Sequence, residues 1–143
     1  MLPSADEILA NFELLDDWEE RYRYLIELGR MMPALPEEAR TDQNKVMGCA
    51  SQVWLESRTE RPNGEPILRL RGESDAHIVR RLIALLIALL SGRPASEIAE
   101  ADPQQTFRTL GLSEHLTPQR SNGLRSMVDR IKRDARAAAA QVH

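Results

Sequence analysis

Cys49 has the widest chemical range of any residue in this 143-residue chain, and it is the only cysteine. It lies in the stretch Asp42-Gln43-Asn44-Lys45-Val46-Met47-Gly48-Cys49-Ala50-Ser51-Gln52-Val53-Trp54, with Gly48 just before it and an extended apolar segment just after. The thiolate, not the thiol, is the nucleophile and metal ligand, so chemistry here depends on ionisation and access. Gly48 removes the Cβ beside the sulfur-bearing residue, which frees the backbone and lets another surface approach. A thiol at the mouth of a strand is held on one side and free to bend on the other. Lys45 is a candidate to favour the thiolate. The competing assignment is a buried structural cysteine, because free Cys is among the most buried residue types.

The same composition excludes several classes. One cysteine closes no internal disulfide, and it cannot supply a zinc site of three or four thiolates or hold a resident iron–sulfur cluster. No metal site is expected, because His77, His115 and His143 show no paired ligand spacing. A Cys–His hydrolase or transferase would need a histidine within hydrogen-bond reach of Cys49, oriented by a third group. His115 is the candidate to lie near the sulfur. His77 reads as solvated in the first turn of a helix, and His143 is the terminal residue. A net charge of −3 argues against a nucleic-acid surface over the whole chain. The N-terminus lacks a basic start and apolar run, and the apolar stretch Leu82 to Leu90 is too short to span a bilayer. The expectation is one domain over residues 1–143, cytoplasmic, with a lone thiol kept reduced.

Elements to position this thiol can be read along the chain. Ser4-Ala5-Asp6-Glu7 matches a capping box, followed by Ile8, Leu9, Phe12 and Leu15 at helical spacing. A second helix starts at Asp16-Asp17, with Trp18, Tyr22, Leu25, Ile26 and Gly29 on one face and Pro33 and Pro36 ending it; Trp18 and Tyr22 are assigned to the core. Residues 33–45 form a long polar connection, of a length that is often functional. It leads to a short strand at Val46-Met47. From Ser51 the period changes to two: Val53, Leu55 and Ser57 share one face, and Gln52, Trp54, Glu56 and Arg58 the other. Pro62-Asn63-Gly64 marks a turn, and Leu68 and Leu70 alternate with Arg69 and Arg71 until Gly72 ends the second strand. A lone hairpin is marginal, so a third strand and covering helices are expected.

Ser74 and Asp75 are candidate N-caps for a helix over Ile78 to Leu90, which is apolar nearly all round and belongs in the core. Gly92 suits its C-terminal cap, Pro94 the first residue of a short helix to about Glu100, and Asp102-Pro103 the start of another ending at Gly111. The last helix begins at Thr117-Pro118 or at Ser121. It buries Leu124, Met127, Val128, Ile131 and Ala135, and turns Arg125, Arg130, Lys132, Arg133 and Arg136 to solvent.

The ordered blocks resemble the SufE family, the sulfur-acceptor proteins that work with cysteine desulfurases in iron–sulfur cluster assembly. They are Trp18-Glu19-Glu20-Arg21-Tyr22 with Glu27-Leu28-Gly29; Asn44 with Gly48-Cys49-Ala50-Ser51-Gln52-Val53-Trp54; Gly72-Glu73-Ser74-Asp75-Ala76 with Ile78-Val79; and His115-Leu116-Thr117-Pro118-Gln119-Arg120-Ser121-Asn122-Gly123-Leu124. Ala50-Ser51-Gln52 is closer to the SufE branch than to the CsdE-type paralogues. The resemblance implies an α/β (α+β) fold, a small antiparallel sheet of about three strands against helices, related to NifU-like cluster scaffolds.

It also implies a role. Cys49 would take persulfide sulfur from a SufS-type, pyridoxal-phosphate-dependent desulfurase, stimulate that enzyme, and pass the sulfur to a SufBCD-type scaffold complex. No cofactor is expected on this chain, since the pyridoxal phosphate belongs to the desulfurase; neither nucleic acid nor membrane is an expected partner, and the chain would be a monomer or weak homodimer. Gly48, Gln52, Asp75 and Arg120 would support the loop or meet the partner, with Val46, Met47, Val53 or Trp54 forming a sulfur pocket. Plainer assignments stand beside these: Asp75 as a helix-start residue, Gln52 as an exposed strand residue, Arg120 as an exposed helix arginine. So does a module that activates a desulfurase without carrying sulfur.

Overall fold

The computed structural model describes residues 2–141 and so leaves His143 outside the described residues. Four of the six helices start where a short polar side chain satisfies a free N–H: Ser4, Asp17, Asp102 and Thr117. Ser4 Oγ accepts the Glu7 N–H ahead of α1 (Ala5–Leu14), and Asp17 Oδ1 accepts the Glu20 N–H ahead of α2 (Trp18–Met31). A 3₁₀ turn, Glu37–Ala39, interrupts the connection that follows. The hairpin is β1 (Val53–Glu60) and β2 (Ile67–Ser74), in antiparallel register from Val53 opposite Ser74 to Glu60 opposite Ile67. Then come α3 (His77–Leu90), the two-residue strand β3 (Arg93–Pro94), α4 (Ala95–Glu100), α5 (Pro103–Thr109), a second 3₁₀ turn Ser113–His115, and α6 (Pro118–Ala140). The sheet order is β1-β2-β3. The mixed α/β class with a three-strand antiparallel sheet is therefore as expected.

The centre is α3. Its residues from Leu82 to Ile87 are all buried, with Leu89 and Leu90 beyond them. It packs on β2 and on α2, while α6 packs on β1 and α4. Each fully buried Leu or Ile contributes about 1.5–3 kcal/mol of transfer free energy, so this helix is the main apolar mass between sheet and helices.

Several expectations need correction. β2 does not stop at Gly72 but runs on to Ser74. A Cβ at Gly72 would lie 2.6 Å from Ile83 Cγ2 and 2.9 Å from Leu55 Cδ2, so glycine here serves the close approach of α3 to the sheet. Pro94 ends β3 and caps α4 instead of being its first residue. Of the two starts given for α6, Thr117-Pro118 is the one found, with Thr117 as cap and Pro118 as first residue. Trp18 is half-buried and packs against the core from its edge, Tyr22 is half-buried, and Leu25, Leu28 and Gly29 are the buried residues of α2. In place of a strand at Val46-Met47 there is a single bridge, Lys45 opposite Trp54. α3 has no side-chain N-cap: its cap position is Ala76, and Asp75 is used elsewhere.

Candidate functional site

The Cys49 loop hangs between two short fixed limbs. On the incoming side, the Val46 N–H donates to Val53 O at 2.8 Å and the Leu55 N–H to Asn44 O at 2.8 Å. On the outgoing side, the Gln52 N–H donates to Asp75 Oδ1 at 3.0 Å, and the Asp75 N–H donates back to Gln52 O at 3.3 Å. Asp75 thus closes the loop base instead of capping α3. Gln52 takes part through its backbone, and its side chain is exposed. Between these limbs Gly48 adopts φ +88°, in the left-handed region that costs an L-residue strain. A Cβ there would stand 2.6 Å from Ser126 Oγ on α6.

This turn aims the sulfur at α6. Cys49 Sγ donates to Gly123 O at 3.6 Å, and Gly123 is buried. A cavity of about 230 Å³ opens beside it, with Val79 and Leu82 of α3 and Met127 of α6 as apolar wall. Ser51, Thr117, Gln119 and Arg120 also line it. The wall expected from Val46, Met47, Val53 and Trp54 is not the one found. Val46 and Val53 are buried in the core, and Met47 is 78% exposed on the far side of the loop. Period-two reading orders residues within a strand but does not say which helix faces the turn that precedes it.

Burial pushes the Cys49 thiol up from its ordinary value of 9.0. At neutral pH the resting sulfur is therefore an S–H, a weak donor, which matches its bond to a carbonyl. Lys45 does not favour the thiolate here: it lines a different cavity, with Met47, Asp129 and Arg130. Its neighbour Arg130 is no solvated residue of a basic face. Its side chain is 13% exposed, and its guanidinium reaches back to the incoming limb. Nothing in the periodicity of α6 marks it.

Arg120 is exposed at the rim of the sulfur cavity, where its N–H is held by Thr117 Oγ1 at 3.2 Å. It also borders a neighbouring cavity formed by Trp18, Tyr22 and His115. The Trp18 and His115 rings stack with centroids 3.6 Å apart and planes 5° apart, so this histidine is engaged by an indole and not by the sulfur. His77 lies with Arg80 and Arg81 in another cavity. Neither described histidine gives Cys49 a base. Among the described residues no three His, Cys, Asp or Glu side chains gather as a metal-ligand set. No helix among them is long and apolar enough to cross a membrane.

The scaffold behind the loop rests on Glu73, a buried carboxylate at the end of β2. Arg80 Nε donates to Glu73 Oε1 at 2.6 Å, and the same guanidinium donates to Gly29 O and Met32 O at the end of α2. The Leu35 N–H donates to Glu73 Oε2 at 3.4 Å, tying the long connection to the sheet. The long connection is therefore anchored, with Leu35 and Ala39 buried.

A model of the SufE family, described as an Fe-S metabolism associated domain, matches residues 6–135. An uncharacterized SufE-like protein of Rhizobium etli is 56% identical over 139 residues, covering 97% of this chain and 94% of that protein. Another, from Rhizobium meliloti, is 53% identical over 134 residues, covering 94% of this chain and 96% of that protein. Among solved structures, the solution structure of a hypothetical protein from Thermus thermophilus aligns with a TM-score of 0.76 at 26% identity, over 96% of this chain and 98% of that one.

Proposed function

Because the chain belongs to the SufE family, and so is associated with iron–sulfur metabolism, we propose that Cys49 accepts sulfur from the persulfide of a pyridoxal-phosphate-dependent cysteine desulfurase and hands it to a cluster scaffold. The observation that carries this reading is the setting of the thiol. The only cysteine stands half-buried against a cavity, at the tip of a loop with fixed ends and a glycine bend.

The step is a sulfur exchange. The Cys49 thiolate attacks the outer sulfur of the donor persulfide. The donor S–S bond breaks, its thiolate leaves with the bonding pair, and a new S–S bond forms on Cys49. The proton lost by the Cys49 thiol is matched by the one the leaving thiolate gains, and no external oxidant is needed. Rest and action make opposite demands. At rest, the raised proton affinity and the cavity keep the sulfur from oxidants, which attack exposed thiolates first. In action the sulfur leaves the cavity, regains water and ionises more readily. Gly48 supplies the bend, Asp75 and the Gln52 backbone hold the loop base, and Arg120 meets the partner at the rim. With no second cysteine in the chain, a persulfide on Cys49 is not resolved into an internal disulfide. The partners are a SufS-type desulfurase and a SufBCD-type scaffold, in a reducing cytoplasm.

The test is an intact-mass measurement after incubation with a desulfurase and free cysteine. The expected result is a gain of one sulfur that a reductant removes and that is absent from Cys49→Ser. A parent protein that gains no sulfur yet stimulates the desulfurase, with Cys49→Ser stimulating equally, would make the chain an activator and end the carrier reading.

A further inference from the structure

We propose that Arg130 is a positioning residue for Cys49: by gripping the limb that leads into the loop, it holds the thiol against its cavity until a partner opens it. Arg130 lies on α6, one turn beyond Ser126, the residue against which Gly48 packs. Its Nη2 donates to Gln43 O at 2.8 Å and faces Leu55 O at 3.5 Å, while Nη1 donates to Lys45 O at 3.3 Å. One guanidinium therefore joins α6 to two carbonyls of the incoming limb and one of β1. The planar fork of arginine suits such a multiple grip, which the single ammonium of lysine cannot copy.

The guanidinium is itself fixed. Nε donates to Asp134 Oδ2 at 3.2 Å, and that same oxygen accepts the Ser57 hydroxyl of β1 at 2.7 Å. The chain Ser57–Asp134–Arg130–Gln43/Lys45 runs from the sheet through α6 to the loop. Apart from the grip at residues 43 and 45, the incoming limb is joined to β1 through one bridge, too short to act as a strand of its own, and is steadied locally by Asn44, whose Nδ2 donates to Ala39 O at 2.8 Å. Without the grip, the two bridge hydrogen bonds at Asn44 and Val46 would hold the limb to β1 alone and would open more often, and each opening moves the pivot of the loop back from Val46 toward the Thr41–Asn44 turn and lengthens the segment carrying Cys49. Arg130 touches neither the sulfur nor its cavity, so its effect passes through the backbone alone.

The functional consequence rests on the carrier reading, but the test does not. The free protein is treated with iodoacetamide, without any desulfurase, at a pH above the thiol's titration so that exposure and not ionisation sets the rate. The adduct mass reports on Cys49 alone, the only cysteine. For Arg130→Ala the alkylation rate is expected to rise at least about tenfold, the effect of weakening the closed loop by one charge-assisted hydrogen bond. Circular dichroism should stay that of the parent. Arg130→Lys, which keeps the charge but not the fork, should fall between the two. A folded Arg130→Ala that alkylates at the parental rate overturns the proposal. If that variant does not fold, a parental rate in Arg130→Lys overturns it equally. Failure of the parent to take up sulfur would strike the carrier reading and leave this result untouched.

Discussion

Gly48→Ala puts the loop geometry to its sharpest test. Two costs fall on the closed loop. An alanine held at φ +88° pays the left-handed penalty, about 1–2 kcal/mol for an L-residue. Its Cβ would also stand 2.6 Å from Ser126 Oγ, which must rotate away. The hydroxyl is the end of a short side chain, so most of the cost remains in the backbone. An open loop is free to bring residue 48 to negative φ and escapes both. Closed and open forms therefore shift by about 1–2 kcal/mol, a factor of roughly 5–30 in their ratio. The assay is the second-order rate of Cys49 alkylation at fixed pH, with circular dichroism to show an intact fold. The expected rise is of that same size. Gly48→Ala/Ser126→Ala removes the hydroxyl but leaves the strained φ, and should keep most of the increase. A folded Gly48→Ala alkylating at the parental rate would refute the reasoning, because the bend would then not hold the sulfur in place.

Two further outcomes follow from the same geometry. Asp75→Ala removes the acceptor of the Gln52 N–H, so hydrogen exchange at that amide should quicken about three- to tenfold, as for a lost hydrogen bond of about 0.5–1.5 kcal/mol, while amides in the middle of α3 are unchanged; equal exchange at Gln52 would show that Asp75 does not close the loop. Because burial favours the protonated sulfur, the pH–rate curve for alkylation of the parent should have its inflection above the ordinary 9.0, and Gly48→Ala should move it down toward that value. A parental inflection at or below the ordinary value would contradict the buried resting position.

The helices were legible because their signals are local. Ser4, Asp17, Asp102 and Thr117 each accept an N–H at the start of a helix, and the apolar run of α3 could only be a core helix. The hairpin followed from period two and a Pro-Asn-Gly turn. What stayed hidden depends on contacts between elements distant in sequence. Gly72 looks like a strand end until α3 is laid across it. Arg130 looks solvated until the limb at Gln43 and Lys45 crosses its helix. The sulfur cavity takes its apolar wall from α3 and α6, and no spacing around Cys49 announces Val79, Leu82 or Met127. Gly123 did carry a signal, since a glycine inside a helical pattern is a reason to look for a neighbour packed on that face. The neighbour at this glycine is the Cys49 side chain, whose Sγ would lie 3.7 Å from an added Cβ, an ordinary van der Waals contact.

A tether has a length. Cys49 sits midway between the fixed residues Val46 and Gln52, each three positions away. At about 3.3–3.6 Å per extended residue, its Cα can stray no further than about 10 Å from either post. The sulfur can therefore cross a narrow gap but cannot travel, and any protein that exchanges atoms with it must bring its own reactive group nearly to the surface of this one. Lengthening the leash by inserting residues would widen the range of possible encounters, and it would equally widen the exposure of the thiol to everything else in solution.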